Sequence, residues 1–231
     1  MERIEVEQFV AKTFQVSEAI KTLRTNILFS GTDIQAVALT SNGSNAGKST
    51  VSFQLAASMA QSGKRVLLVD VDLRNSAMLK RLQINGDIKG LSHYLSGMAT
   101  RQDLICQTDV ENLSLIVAGP RVPNAAELLG GTKFAELIQQ LRPEYDYIFL
   151  DAAPLGQVID CAVICPSVDG VLIVVDVTHN SFKLEQRVVV QLQKADARIL
   201  GVVLNRVDFK DKHGYYGKAY GYGYDYRYGE E

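Results

Sequence analysis

The stretch from Ala36 to Ala60 constrains this chain more than any other. Ala36, Val37, Ala38 and Leu39 read as a buried strand; a loop of small residues follows, then Gly47-Lys48-Ser49-Thr50, then helix-forming sequence. Strand, small-residue loop, Gly-Lys-Ser and helix in this order cradle the phosphates of a nucleotide. Main-chain N–H groups point at the anion, and the helix N-terminus adds partial positive charge. In this reading Gly43, Ser44, Asn45, Ala46 and Gly47 wrap the phosphates and Lys48 meets the β and γ groups. Ser49 carries its hydroxyl to Mg²⁺, and Thr50 lies on the α-phosphate side. Asn42 stands where the usual pattern has glycine.

The rest of the chain supplies a frame for such a loop. Its 231 residues suit one α/β domain with a substantial core. A formal charge of −2 gives no bulk attraction to nucleic acid or to an anionic membrane. No run has the length of a membrane-spanning helix, and Met1 to Glu5 lack signal-peptide form. Cys106, Cys161 and Cys165 have no disulfide-framework spacing, and His93, His179 and His213 are scattered, so a cytoplasmic protein without a zinc site is expected.

Taken in order, residues 1–16 read as an arm. Ser17 can cap a helix to about Phe29 with Ile20, Leu23 and Ile27 on one face, and Glu18, Lys21 and Arg24 along another. Gly63 ends the helix after the phosphate loop, and Arg65 to Val69 form a second strand closing in Asp70-Val71-Asp72-Leu73-Arg74. Side chains two apart on a strand face the same way, so Asp70 and Asp72 can project together at its carboxyl end, where open α/β sheets carry their sites. Helices follow over Ala77 to Leu82 and Gly90 to Gly97, a strand over Leu113 to Val117, and one helix over Ala125 to Leu141. Tyr145 to Leu150 is a strand that delivers Asp151, a second metal-side carboxylate. Val171 to Val175 and Ile199 to Leu204 are further strands around a helix from Ser181 to Lys194. Strand alternating with helix predicts a doubly wound, mostly parallel sheet with helices on both faces. Asn205-Arg206 closes the last strand, where a side-chain amide can read a base edge.

From Asp208 the composition changes. Tyr215, Tyr216, Tyr220, Tyr222, Tyr224, Tyr226 and Tyr228 alternate with Gly, Lys, Ala, Asp and Arg, a pattern without the aliphatic residues of a core. Residues 17–207 therefore read as the folded domain and 208–231 as a tyrosine-rich tail. A phosphate loop with a tethered row of phenols points to phosphoryl transfer onto tyrosine. Lys48 would stabilise developing charge, Asp72 and Asp151 would support Mg²⁺, and Asp70 is the favoured base, although Asp70 and Asp72 can exchange roles.

The chain resembles the bacterial tyrosine kinases, specifically the stand-alone cytoplasmic autokinases of Gram-positive capsular or exopolysaccharide systems. The resemblance rests on Gly47 to Thr50, on Leu68 to Arg74, on Tyr145 to Pro154 and on the terminal tyrosines. It implies a MinD-like phosphate-loop NTPase fold and the use of ATP and Mg²⁺. It implies phosphorylation of a neighbouring subunit's tail in a ring-shaped homo-oligomer, and control of polysaccharide synthesis and export. A transmembrane activator would recruit the protein to the inner face of the plasma membrane through a cytoplasmic segment, and a cognate tyrosine phosphatase would oppose it; nucleic acid is not an expected partner. The family's Glu-Arg-Arg assembly motif matches Glu18, Lys21 and Arg24, and Asn205-Arg206 sits where related ATPases recognise adenine. Three positions depart from the family pattern: Lys21 replaces an arginine, Ser44 a proline, and Ala152-Ala153 a Thr-Pro pair. Two other readings compete. A MinD/ParA-type switch ATPase usually carries a signature lysine where this chain has Gly43. A non-catalytic nucleotide-binding protein with an adhesive tail would not need Lys48, Ser49, Asp70, Asp72 and Asp151 together.

Overall fold

A computed structural model describes residues 4–10, 13–82, 88–178 and 181–208 of the chain. The first half runs α1 (Phe14–Phe29), β1 (Ala36–Thr40), α2 (Lys48–Gln61), β2 (Val66–Asp70) and α3 (Ala77–Leu82). Then come α4 (Leu91–Leu95), β3 (Cys106–Gln107), β4 (Leu113–Ile116), α5 (Ala125–Gly130) and α6 (Thr132–Leu141). The chain continues through β5 (Tyr147–Asp151), α7 (Asp160–Ile164), β6 (Gly170–Asp176), α8 (Phe182–Lys194) and β7 (Ile199–Asn205).

The strands form one seven-stranded sheet in the order β3-β4-β2-β5-β1-β6-β7, parallel throughout except for β3, which runs antiparallel to β4 at the edge. The central strands are continuous apolar runs because each supplies two cores. Ala36 and Ala38 of β1 face the core formed with α4 to α8, whereas Val37 and Leu39 face the core formed with α1, α2 and α3. Ile148 and Leu150 against Phe149 divide in the same way on β5. A strand buried on both faces cannot alternate apolar with polar, so the fold class is legible in the run itself. This is the doubly wound sheet that the element order predicts, and its carboxyl edge gathers the ends of β1, β2 and β5.

Several local expectations change. Helix α1 begins one turn before Ser17: Thr13 is the N-cap, its hydroxyl accepting from the Val16 N–H at 3.4 Å. Phe14 and Val16 are exposed, so the extra turn lacks the apolar stripe that would have marked it. The single helix expected over Ala125 to Leu141 is two, parted at Gly130-Gly131. A Cβ on Gly130 would lie 2.9 Å from the Val163 side chain, so α5 meets the segment holding α7 too closely for a larger residue. Part of the N-terminal arm is built into the sheet edge. Ile4 N–H donates to Gln107 O at 2.9 Å, Val6 N–H donates to Asp109 at 2.7 Å, and the Phe9 ring lies 5.4 Å from that of Phe53 on α2.

The base of the sheet is tied by one carboxylate. Asp169 accepts from the main-chain N–H groups of Gln35 (2.9 Å) and Ala36 (2.7 Å), and from both terminal nitrogens of Arg142 (2.9 and 2.8 Å). Burial alone would raise its pKa, but Arg142 and the two N–H groups outweigh it and hold the carboxyl below its ordinary value. A carboxyl whose pKa is depressed on folding contributes stability above the unfolded value, near 3.9, and loses it as pH falls through the folded one. Asp169→Asn is therefore expected to cost about 2 kcal/mol in urea unfolding at pH 7. The gap from wild type should begin to narrow as pH falls below about 4 and close only once pH has passed below the depressed folded pKa, where both carry an uncharged side chain.

Candidate functional site

The phosphate loop joins β1 to α2. Two of its residues have left-handed backbone conformations, Asn45 at φ +64° and Gly47 at φ +90°. Asparagine tolerates this region and glycine has no Cβ to oppose it. Gly47 is also the N-cap of α2, so no side chain caps the helix, and its first-turn N–H groups face outward for an anion. Ser41 donates to Gly43 O at 2.6 Å, and Ser44 and Gln157 are hydrogen-bonded across the mouth of the loop at 3.1 Å. Ala46 is buried beneath the loop.

Lys48 and Asp151 lie at the floor. Both are buried, Lys48 to 7% exposure and Asp151 to 2%, and the Ser52 hydroxyl donates to Asp151 at 3.2 Å. Burial raises the Asp151 pKa, and this is opposed by the Lys48 charge and by hydrogen bonds from Ser49 and Ser52. Asp70 sits beside Asp151 on the neighbouring strand, fully buried. Burial and the Asp151 charge push the Asp70 carboxyl well above its ordinary value, against hydrogen bonds from the Ser76 hydroxyl and the Asp72 N–H. Both carboxyls are therefore raised, Asp70 further than Asp151, because Lys48, Ser49 and Ser52 oppose the rise at Asp151.

The expectation that Asp70 and Asp72 project together fails, because β2 ends at Asp70 and the chain turns there. Asp70 folds back to accept from Asp72 N–H at 3.1 Å, while Asp72 accepts from the N–H groups of Arg74 (3.3 Å) and Asn75 (2.9 Å). This turn leaves Asp70 enclosed and sets Asp72, half-buried, in the wall of an open cleft of about 720 Å³. Ser44, Asn45 and Gly47 through Thr50 line that cleft together with Asp151.

Two arginines that sequence reasoning assigned no role belong to the site. Arg74 lines the cleft and is gripped by buried Asp160 through two parallel bonds of 2.7 and 2.9 Å. Arg81 lines it too and donates to the Thr50 hydroxyl at 2.7 Å. Arg74 was readable as part of the Asp-x-Asp-x-Arg run. Arg81 had no local signal, since only the packing of α3 against the start of α2 delivers it.

Other expected residues lie elsewhere. Asn205 donates to Ala46 O at 2.8 Å and Arg206 to Asn45 O at 2.9 Å, so both meet the main chain of the loop, outside the cleft's lining. On α1, Glu18 and Lys21 form an exposed ion pair of 2.7 Å, and Arg24 donates to Ser58 O on α2 at 2.8 Å. All three are remote from the cleft lining. The tyrosines from Tyr215 to Tyr228 lie outside the described residues.

The donor set fits a nucleotide phosphate held with Mg²⁺. Among the described residues no group of three or more His, Cys, Asp or Glu side chains is placed to hold a metal unaided. Mg²⁺ bound at phosphates characteristically takes one or two carboxylates and completes its shell with phosphate oxygens and water. Ser49 and Asp151 would hold it, with Asp72 in the same cleft wall, and it would neutralise charge on the phosphates.

These features define a phosphate-loop nucleotide-binding domain, and residues 34–200 match the family model described as an AAA domain. The fold is similar to that of the septum site-determining protein MinD complexed with Mg-ADP from Pyrococcus horikoshii, at a TM-score of 0.61 and 25% identity over 74% of this chain and 70% of that one. A closer likeness is to the crystal structure of the chimerical protein CapA2B2, at a TM-score of 0.81 and 30% identity over 89% of this chain and 92% of that one. In sequence the chain is 36% identical over 223 residues to the tyrosine-protein kinase CpsD of Streptococcus agalactiae, covering 94% of this chain and 97% of the relative. The chain belongs to the bacterial tyrosine kinases. Among the described residues no helix is long and apolar enough to cross a membrane.

A Cβ on Gly47 would lie 2.0 Å from the Asn205 amide nitrogen, at a φ that already disfavours any side chain. Gly47→Ala is expected to lower stability by about 1–3 kcal/mol in urea unfolding. It should also abolish nucleotide binding, measured by calorimetry.

Proposed function

We propose that this chain is an ATP-dependent protein-tyrosine autokinase that phosphorylates the C-terminal tyrosines of a neighbouring subunit and thereby regulates capsular or extracellular polysaccharide synthesis. The observation that carries the proposal is the uncapped start of α2, with Lys48 at the floor and Asp72 and Asp151 in the same cleft. The likeness to CpsD supports the choice of tyrosine as acceptor.

In this reading the loop N–H groups and Lys48 bind and orient the phosphates, and Lys48 stabilises the charge that develops as the phosphoryl group leaves. Asp151 and Ser49 hold the metal side. The sequence favoured Asp70 as base, but its full enclosure outside the cleft lining suits it better to bracing the Asp72 turn. Asp72 is therefore the proposed acceptor of the phenol proton. A phenol with a pKa near 10 needs such a partner, because few molecules ionise unaided at pH 7. Glu18, Lys21 and Arg24 are proposed to join subunits into a ring. Tyr215 to Tyr228 are the proposed acceptors, a membrane activator's cytoplasmic segment the recruiting partner at the inner face of the plasma membrane, and a tyrosine phosphatase the opposing enzyme.

The likeness to MinD keeps a switch ATPase as the second reading. Incubation of the full chain with MgATP and an activator segment, followed by mass spectrometry, separates the two. Phosphate on Tyr215 to Tyr228 is expected, and Lys48→Met should lower its appearance by at least about a hundredfold. ATP hydrolysis with an unmodified tail would favour the switch. Each phosphotyrosine adds roughly −1.5 to −2 charge beside the carboxylates of the cleft, so the phosphorylated protein should scatter light as a smaller species than the dephosphorylated one.

A further inference from the structure

We infer that Arg206 is a positioning residue, a latch that fastens the phosphate loop to the end of the sheet and holds it in its phosphate-receiving conformation. The inference rests on the reading of the cleft as a nucleotide site, and it assigns the end of β7 to the loop's main chain. Within each trans peptide unit the N–H and C=O point in opposite directions, so a loop that turns N–H groups toward an anion turns the carbonyls of those same units away from it. Those carbonyls need donors from behind. Arg206 Nη2 donates to Asn45 O at 2.9 Å, and Asn205 Nδ2 donates to Ala46 O at 2.8 Å.

The loop has reason to need fastening. Asn45 holds a positive φ of +64°, a conformation that in a residue other than glycine persists where surrounding contacts enforce it. Arg206 itself sits at φ +62°, and its side chain reaches back to the loop. Its Nη1 donates to Asp176, the last residue of β6, a carboxylate only 6% exposed. Asp176 in turn accepts from the N–H (3.0 Å) and hydroxyl (2.7 Å) of Thr178. A continuous chain of bonds therefore runs from Thr178 through Asp176 and Arg206 to Asn45. Only a planar fork can hold a carboxylate and a carbonyl in two fixed directions at once; a lysine ammonium has no such geometry. Neither Arg206 nor Asp176 lines the cleft, so the latch acts through the loop.

Binding of two probes to the full chain tests this: MgATP, and inorganic tripolyphosphate with Mg²⁺, by calorimetry on wild type, Arg206→Ala, Arg206→Lys and Asp176→Asn. Only molecules with the loop formed bind, so releasing the latch should weaken both probes in parallel by about tenfold or more. Arg206→Lys should fall between, and the kinetic loss should fall on KM for ATP more than on kcat. Asp176→Asn cuts the latch from the other strand and reads the same quantity should Arg206→Ala fold poorly. Unchanged affinity for both probes in Arg206→Ala and Asp176→Asn would overturn the latch. So would a loss confined to ATP, which would make Arg206 a contact to the base. If wild type bound neither probe, the nucleotide reading itself would fall, and the latch with it.

Discussion

A phosphate loop must bury its carbonyls in order to present its amides, and much of this structure answers that constraint. The loop cannot repeat a helix or a strand, since either would consume the N–H groups in its own ladder. It therefore runs through left-handed residues at Asn45 and Gly47 and leaves α2 without a side-chain cap. The end of β7 supplies donors to the carbonyls behind. The order of the sheet follows from the same need: β1 lies between β5 and β6, so the loop leaving it meets Asp151 on one side and the Asp176 and Arg206 cluster on the other.

The second constraint is electrostatic. Asp70 and Asp151 are paired across adjacent strands in a dry environment, where two charges that close would be costly. Lys48, Ser49 and Ser52 favour the charged form of Asp151, so its carboxyl is raised less than that of Asp70. That asymmetry divides the work of three aspartates. A buried Asp70 organises the turn through Asp72 N–H and Ser76, and the turn gives Asp72 its place in the cleft wall. The backbone break after Asp70 is thus part of how the site is made.

The fold class, the phosphate loop and the strand-end aspartates were legible because each rests on local pattern: two-faced apolar runs, a spaced Gly-Lys-Ser, a carboxylate after a strand. What escaped the sequence was decided by tertiary contact. The split between α5 and α6 falls at the extended backbone of Gly131, beside Gly130, which packs against Val163 more than thirty residues away in the chain. The burial of Ile4 and Val6 depends on a two-residue edge strand too short to announce itself. Arg81 reaches Thr50 only because α3 packs on α2. Asn205-Arg206 was visible as a polar pair at a strand end, but its direction depended on the positive φ of Arg206, which no neighbouring residue type signals.

The charges left over in the cleft bear on why a divalent ion belongs there. Arg74 lies in the wall but is bound bidentately to buried Asp160, so much of its charge is already answered. Arg81 is hydrogen-bonded to the Thr50 hydroxyl, a neutral acceptor, and keeps its charge, as does Lys48. Against these stand Asp72 and Asp151. Two cations and two carboxylates come close to cancelling, which is a poor field for a polyanion on its own. A metal ion held at Ser49 and Asp151 changes the balance, since it converts the carboxylates from repelling groups into ligands. The same residues that would oppose a bare phosphate then favour one that arrives with its cation.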